Sequence, residues 1–443
     1  MRHAAAYTGG IVIGRIPPFL FLPVFATVLS PETLGLYLTV LILADLVQTV
    51  SGLGMVQALG RYFPLAKERA VRKELMGTAL WTALAGAAII CGLALAAFLW
   101  PAFRDTLEAA RGLDLPSLLL ALGAGSIVNL VSLLIAYVRA EQRAGVFFAS
   151  LSGGAALEAC AGTVLVVTGS VNLPRILAVE CAKGFLILLI LLWSARADLS
   201  LRFSSSRFAE LFRFGFWLMP VGLFAWMLLS IDRFWLGQLA GLAEVGVYGF
   251  FYKFASPAAI LFQGWIISMD SHLFRAEPEA GRDLVGASLA RYLKWAGAGL
   301  CLAAAILPLA VWFAARDGRW LPSAYLGGLK VYPLFLATIF IYYWAVHYAS
   351  LLDFQFRSKR QLAYMGLAAL GNFALCPAFV KAGALVGISP APAIALSNLA
   401  CVTALLALQS RQAISHPGVA YWKTALIPLA CMLALAAAWS LAA

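Results

Sequence analysis

Charged residues are scarce in this chain of 443 residues. They make up 12% of it, against about 25% in soluble domains, while hydrophobic residues make up 63%. Apolar runs of about 20 residues recur from end to end, which is the length that a helix needs to cross a hydrocarbon core of about 30 Å. Period-two alternation, which marks the strands of membrane β-barrels, is missing. The composition therefore predicts an all-α polytopic membrane protein.

Motifs for nucleotide, metal and redox chemistry are also missing. No GxxxxGK[ST] loop occurs, so the sequence offers no recognisable ATP-binding site, and the 4 histidines lack HExxH spacing. The 7 cysteines lie in apolar runs without a CxxC pair, which favours small core residues over disulfides or metal ligands. We therefore expect neither a metal nor a cofactor.

The apolar runs predict thirteen membrane spans. They cover residues 8–30, 33–60, 75–100, 116–138, 147–169, 172–194, 212–238, 245–269, 291–315, 327–351, 362–383, 387–409 and 421–442. The connections between them are short. The longest, residues 270–290, is predicted to form an amphipathic helix on the membrane surface.

Lys and Arg are unevenly distributed over these connections. About 21 of the 32 fall on the side of the N-terminus and about seven on the opposite side. Since cytoplasmic loops are enriched in Lys and Arg, the N-terminus is expected in the cytoplasm. The same asymmetry explains the net charge of +12 without nucleic-acid binding, because the basic residues are scattered over many loops.

The two halves of the chain share a turn motif. Gly35-Leu36-Tyr37 lies at the outer turn of the first predicted hairpin, and Gly246-Val247-Tyr248 lies at the same place six spans later. Each hairpin begins with a proline-interrupted helix, for which the predicted hinge residues are Pro17, Pro18 and Pro220. Interrupted helices at matching positions of two repeats indicate a transport site.

The repeat predicts the domain organisation. Because six spans separate the copies, two six-helix lobes would be related by a pseudo-twofold axis along the membrane normal, with a central cavity. The predicted segments are an N-terminal lobe at 1–194, a polar linker at 195–209, a C-terminal lobe at 210–409, and a loop with an extra C-terminal helix at 410–443.

Several charged residues fall within predicted spans, where each costs about 3 kcal/mol at the bilayer centre. From their depths, Arg15 could pair with Asp45, and Lys183 could pair with Glu158 on the preceding span. Glu180 lies three residues before Lys183 on one helical face, so it could pair with Lys183 too. The predicted ion-coupling or structural charge pairs involve Asp45, Glu158, Glu180 and Asp232.

Cations and aromatic rings are the candidates for substrate contacts. Arg grips phosphate oxygens in bidentate fashion, so a cationic cavity suits a pyrophosphate or an acidic sugar. Because adjacent residues do not share a helix face, Asp232 and Arg233 are expected to have separate partners. Trp265 on the eighth span could stack on a sugar face. The predicted substrate-binding residues are Arg15, Lys183, Arg233, Lys253, Tyr248 and Tyr252.

Three stretches carry a family resemblance. They are LSPETLGLYLTVLILADLVQTVSGLGMVQALGRYF at 29–63, SIDRFWLGQLAGLAEVGVYGFFYKFASP at 230–257 and GNFALCPAFVKAGA at 371–384. With them, the chain resembles the multidrug/oligosaccharidyl-lipid/polysaccharide (MOP) flippase superfamily, and within it the polysaccharide exporters that include O-antigen flippases. The resemblance spans roughly residues 5–410. The family usually has 12 or 14 spans, so thirteen is a departure.

The resemblance implies a flippase without enzymatic activity in the bacterial cytoplasmic (inner) membrane. Its substrate would be a glycan linked to undecaprenyl pyrophosphate, such as an O-antigen or exopolysaccharide repeat unit, moved from the inner to the outer leaflet by alternating access. The implied partners are this lipid-linked oligosaccharide, membrane lipid, a coupling Na⁺ or H⁺, and polysaccharide polymerase with chain-length machinery. No nucleic acid is expected.

Two other functions remain open at this point. A drug/cation antiporter of the same superfamily would have a cavity dominated by acidic residues, and the similar numbers of acidic and basic residues within the spans do not decide this. A polytopic polysaccharide polymerase or glycosyltransferase would need an outer loop that holds catalytic groups. The predicted outer loops have about 15 residues or fewer.

Overall fold

A computed structural model of the chain describes residues 2–101, 114–200, 202–273, 278–316, 321–355, 357–413 and 419–442. Within these ranges the regular elements are fourteen α-helices and two short 3₁₀ turns. The chain forms two compact units, Met1–Trp226 and Met227–Ala443. The all-α fold class is confirmed.

In its described residues, the first unit holds six long helices, one short helix and the beginning of another long helix. They are α1 (Arg2–Val28), α2 (Pro31–Ser51), α3 (Met55–Tyr62), α4 (Arg69–Leu99), α5 (Leu115–Ala140), α6 (Ala144–Val167), α7 (Leu173–Ala195) and the first part of α8 (Ser205–Ala240). The division between the units lies inside α8, after Trp226. The predicted linker at 195–209 lies N-terminal to this division.

The second unit holds the rest of α8 and the remaining helices. They are α9 (Leu242–Leu273), α10 (Pro278–Ala315), α11 (Tyr332–Phe354), α12 (Ser358–Leu385), α13 (Pro390–Ala413) and α14 (Val419–Ala442). α11 lies in the core of this unit, since most of its side chains are buried among its neighbours.

Twelve helices of the described residues are long and apolar enough to cross a membrane, namely α1, α2 and α4–α13. Six of them, α1, α2 and α4–α7, lie in the first unit and five, α9–α13, lie in the second, while α8 is divided between the two units. The extra C-terminal helix is also present as α14, although its apolar part, Thr424–Ser440, is shorter than the others. The chain is therefore a multi-pass membrane protein.

Three of the spans begin with a polar cap followed by proline. Ser30, Asp114 and Asn172 accept hydrogen bonds from backbone N–H groups in the first turns of α2, α5 and α7. Each of these helices has a proline at one of its first two positions, where the missing N–H costs no helical hydrogen bond. Each cap supplies an acceptor to a backbone N–H group that has no partner within the first turn of its helix.

The second predicted span, 33–60, is wrong in its extent. α2 ends at Ser51, and a separate helix, α3, begins at Met55. Leu53 and Gly54 lie between them with φ angles of 45° and 73°, in the left-handed region that ends a helix. A Cβ on Gly54 would lie 2.1 Å from the carbonyl oxygen of Gly215, so only glycine fits this close approach.

The connection predicted to lie on the membrane surface also differs. α9 continues to Leu273, and α10 begins at Pro278, so most of residues 270–290 belong to a long helix of 38 residues. The hinge prolines sit inside continuous helices: α1 contains Pro17 and Pro18, and α8 contains Pro220. Bending at these prolines stays a prediction.

Candidate functional site

A cluster of charged side chains is buried in the first unit, where α2, α6 and α7 meet. The ammonium of Lys183 on α7 lies 3.0 Å from a carboxylate oxygen of Glu158 on α6, and it also pairs with Glu180 one turn earlier on α7. The three side chains are 19%, 7% and 17% exposed, respectively. Both pairs that the sequence predicts for Lys183 are present. Two carboxylates thus share one ammonium inside an apolar unit.

A glycine on α6 allows this arrangement. Gly154 lies one turn before Glu158, and a Cβ at Gly154 would lie 2.6 Å from Ile187 and 3.3 Å from Lys183. Without a side chain there, α7 approaches α6 closely enough for the Lys183 side chain to reach the carboxylate. The helix–helix contact therefore positions the ion pair, as small residues do in other membrane helix interfaces.

A second cluster is buried in the second unit and joins α8 to α9. The Tyr248 hydroxyl donates to one carboxylate oxygen of Asp232 at 2.7 Å, and the backbone N–H of Arg233 donates to the other at 2.9 Å. The Arg233 guanidinium carbon lies 3.6 Å from the centre of the Tyr252 ring, in cation–π contact. Asp232 and Arg233 are 1% and 6% exposed. They have separate side-chain partners, as predicted.

Arg233 is not saturated with hydrogen bonds. Among the described residues, its Nε and Nη2 atoms have no hydrogen-bond partner although they are buried. The Tyr252 ring covers one face of the guanidinium and replaces part of its solvation. A buried donor without an acceptor costs about 1–3 kcal/mol, so this cation is held by the fold at some expense in stability.

A polar group on α12 lies next to this region of α8. The Asn372 side chain is fully buried and donates to the backbone oxygen of Leu228, one turn before Asp232. It accepts hydrogen bonds from Ser397 on α13 and Cys376 on its own helix. The sequence singles out Asn372 as part of a family stretch, but it gives no sign that Ser397 is its partner.

The two tyrosines of the repeated motif lie inside α2 and α9, not in the predicted outer turns, and they have similar roles. Tyr37 donates to partly buried Glu180 at 3.3 Å, and Tyr248 donates to buried Asp232 at 2.7 Å, so each places a hydroxyl on a carboxylate within its unit. The carboxylates themselves lie at different positions of the two repeats, on the sixth and seventh spans. Sequence reasoning used these tyrosines to detect the repeat and missed their hydrogen bonds.

The predicted charged residues outside the two clusters are exposed or half-buried. Arg15 on α1 and Asp45 on α2 are exposed in the first unit, while Lys253 and Tyr252 on α9 are half-buried in the second. Pairing of Arg15 with Asp45 stays a prediction. Of the six predicted substrate-binding residues, Arg15 and Lys253 lie outside the two clusters as described, whereas Lys183, Arg233, Tyr248 and Tyr252 take part in them.

Residues 1–266 match the family model described as polysaccharide biosynthesis protein. The chain belongs to this family. The superfamily suggested by the three sequence stretches is thereby confirmed, since this family is part of the MOP superfamily. No curated protein matches the sequence.

Solved structures show that this family member shares the fold of known MOP proteins. The lipid II flippase MurJ in an inward closed conformation has a TM-score of 0.69 and 13% sequence identity, covering 98% of this chain and 97% of that one. An inward-facing multidrug resistance MATE family transporter has a TM-score of 0.66 and 14% identity, covering 98% and 95%. The MATE transporter ClbM in complex with Rb⁺ has a TM-score of 0.58 and 14% identity, covering 95% of each chain.

A metal centre is not found in the described part of the chain. No group of three or more His, Cys, Asp or Glu side chains lies close enough there to hold a metal ion. The seven cysteines are free thiols. The chemically distinctive features of this family member are therefore its two buried charge clusters and the accessible cations of α1 and α9.

Proposed function

We propose that the chain is a flippase for a glycan linked to undecaprenyl pyrophosphate, such as an O-antigen or exopolysaccharide repeat unit. It would move this substrate from the inner to the outer leaflet of the bacterial cytoplasmic membrane, with its N-terminus in the cytoplasm. The observation that carries the proposal is the match of residues 1–266 to the polysaccharide biosynthesis family. The fold shared with a lipid II flippase supports it, because lipid II is named there as a lipid-linked substrate.

The substrate sets a physical problem that this chain is suited to solve. A pyrophosphate with its sugars is highly polar, and the hydrocarbon core that it must cross is about 30 Å thick. A protein lowers that barrier by offering cations along a wet path, because each charge in bare hydrocarbon is costly. The Arg15 guanidinium is accessible and can hold phosphate oxygens in bidentate fashion, and Lys253 offers a second, half-buried cation.

The buried cluster of the first unit is the proposed coupling site. Lys183 contacts both Glu158 and Glu180, so the ionised cluster has one carboxylate more than it has ammonium groups. Binding of H⁺ or Na⁺ would neutralise this excess and change the cost of burying the cluster. A protein of the same fold, the MATE transporter ClbM, was solved in complex with the monovalent cation Rb⁺. Neutralisation of the cluster would favour one of the two states of an alternating-access cycle, and the helices would bend at Pro17, Pro18 and Pro220 as the chain changes between these states.

The test is surface polysaccharide production in cells that depend on this chain. Arg15→Ala is expected to abolish the surface polysaccharide while the amount of protein in the membrane is unchanged, and Arg15→Lys is expected to keep part of it. The matched control is Arg196→Ala, which removes an arginine stacked at 4.0 Å on Trp193 at the end of α7. Normal polysaccharide with Arg15→Ala would remove Arg15 from the mechanism.

The resemblance to MATE transporters keeps a second function in view. Their fold covers nearly the whole chain, and the excess carboxylate of the first cluster would also suit exchange of a cation for a drug. In that case the purified protein would transport lipophilic cations in exchange for H⁺ or Na⁺, and lipid-linked oligosaccharide would not compete with them. Competition by the oligosaccharide would favour the flippase.

A further inference from the structure

A pocket of about 480 Å³ lies between α9 and α10 of the second unit. The indole N–H of Trp265 on α9 donates to the Ser288 hydroxyl on α10 at 2.9 Å and connects the two walls. Trp265 also packs edge-on against the Tyr292 ring, with centroids 6.3 Å apart. These contacts fix the Trp265 side chain in the wall of the pocket.

The lining of the pocket is amphiphilic. Leu261, Met269 and Leu284 supply apolar surface, and the Leu261 side chain is 64% exposed. Arg291 and His272 supply exposed nitrogen donors at the rim. The Nε of Arg291 donates to the backbone oxygen of Ala287 at 3.3 Å, which holds the side chain along α10.

Two acidic residues of the described chain, Asp270 and Asp283, lie close to the pocket in sequence. Asp270 on α9 lies beside Ser350 and Asp353 of α11. Asp283 is exposed on α10, and neither carboxylate lines the pocket. Among the described lining residues the charged or titratable side chains are Arg291 and His272, so the local charge favours an anionic ligand.

The pocket lies near the ends of two apolar segments. At 1.5 Å per residue, the 38 residues of α10 make a helix of about 57 Å, which extends well beyond a hydrocarbon core of about 30 Å. The predicted ninth span begins at residue 291, and the predicted eighth span ends at residue 269. The candidate spans of the structure, Leu242–Asp270 and Asp283–Ala315, likewise end and begin beside the pocket, so we place it near the lipid headgroups, where Trp is enriched.

We propose that this pocket binds an anionic phospholipid. Arg291 and His272 would hold its phosphate, Ser268 would hydrogen-bond to the headgroup, and an acyl chain would follow the exposed surface of Leu261. A lipid fits these observations better than a free phosphate, because cationic and apolar groups share one cavity at the membrane surface. The proposal does not depend on the transported substrate.

The test uses the full-length protein, purified without added lipid, and measures binding by native mass spectrometry and by thermal stabilisation. Phosphatidylglycerol is expected to bind more tightly than phosphatidylcholine. Arg291→Gln is expected to weaken its binding about fivefold, since one basic residue contributes about 1 kcal/mol at an anionic lipid surface. Ser268→Trp should weaken it as well, because the indole would occupy the pocket without a change of charge.

The matched control is Lys294→Gln, one turn further along α10. The Lys294 ammonium lies 5.4 Å from the Trp295 ring and does not line the pocket, so its loss is expected to leave binding unchanged. If Lys294→Gln weakens phosphatidylglycerol binding as much as Arg291→Gln does, the effect is one of general surface charge and the proposal is overturned. Competition by soluble glycerol 3-phosphate at the same concentration would show a phosphate site and would overturn the lipid assignment.

Discussion

Replacement of Lys183 by methionine is the most informative change to the first charge cluster. Methionine keeps most of the side-chain volume and removes the ammonium that both Glu158 and Glu180 contact. Removing one partner of a buried ion pair costs about 3–5 kcal/mol. Polar interactions in membrane proteins are often weaker than this, so we expect a loss of about 3 kcal/mol in the free energy of unfolding.

The glutamates should respond very differently. Glu180→Gln leaves Lys183 paired with Glu158 at 3.0 Å, and Glu158→Gln leaves it paired with Glu180, so each variant retains one carboxylate for one ammonium. We expect each to lose less than about 1 kcal/mol. The triple variant Lys183→Met, Glu158→Gln and Glu180→Gln should recover most of the stability that Lys183→Met loses, because no charge then remains at this cluster.

The assay is equilibrium unfolding by sodium dodecyl sulfate in mixed micelles, followed by far-ultraviolet circular dichroism. The variants are compared at the same protein and detergent concentrations. The reasoning is refuted if Lys183→Met is as stable as the wild type, or if the triple variant is less stable than Lys183→Met. Either result would mean that the pairing of these charges does not determine the stability of the first unit.

Two further changes test local contacts of the fold. Tyr248→Phe keeps the ring and removes the hydroxyl that donates to buried Asp232. We expect the free energy of unfolding in the same detergent titration to fall by about 1–2 kcal/mol. An unchanged free energy of unfolding would rule out that hydrogen bond. Gly54→Ala would place a Cβ 2.1 Å from the Gly215 carbonyl oxygen at a positive φ, so the yield of folded protein on size-exclusion chromatography should fall severely. The control Gly60→Ala, whose Cβ would have nothing within 4 Å, should keep a normal yield. Equal yields of the two variants would argue against the close approach.

The sequence predicts the helical spans well for a physical reason. The bilayer requires apolar segments of a minimum length, and hydropathy reports that requirement directly. It does not report backbone conformation, so the break at Leu53 and Gly54 is hidden in a run that is apolar on both sides. The division of the compact units inside α8 is likewise a property of packing, and the apolar segment of that helix gives no sign of it.

The candidate site is predictable where contacts are local. Spacing along one helix and depth on adjacent helices were enough to predict both partners of Lys183. The hydrogen bond from Tyr37 to Glu180 joins residues 143 positions apart, and no local pattern encodes such a contact. The cation–π contact of Arg233 with Tyr252 depends in the same way on how α8 packs against α9.

The central claim is that this chain moves lipid-linked oligosaccharide across a membrane. The most direct measurement uses proteoliposomes that contain such a lipid in both leaflets, with a glycosidase added outside to cleave whatever reaches the outer surface. The wild type is expected to expose nearly all of the inner pool, and vesicles with Arg15→Ala protein should leave it protected. The experiment is repeated with Na⁺ and with H⁺ gradients of either direction. If the inner-leaflet lipid is never cleaved although folded wild-type protein is present, the account is contradicted.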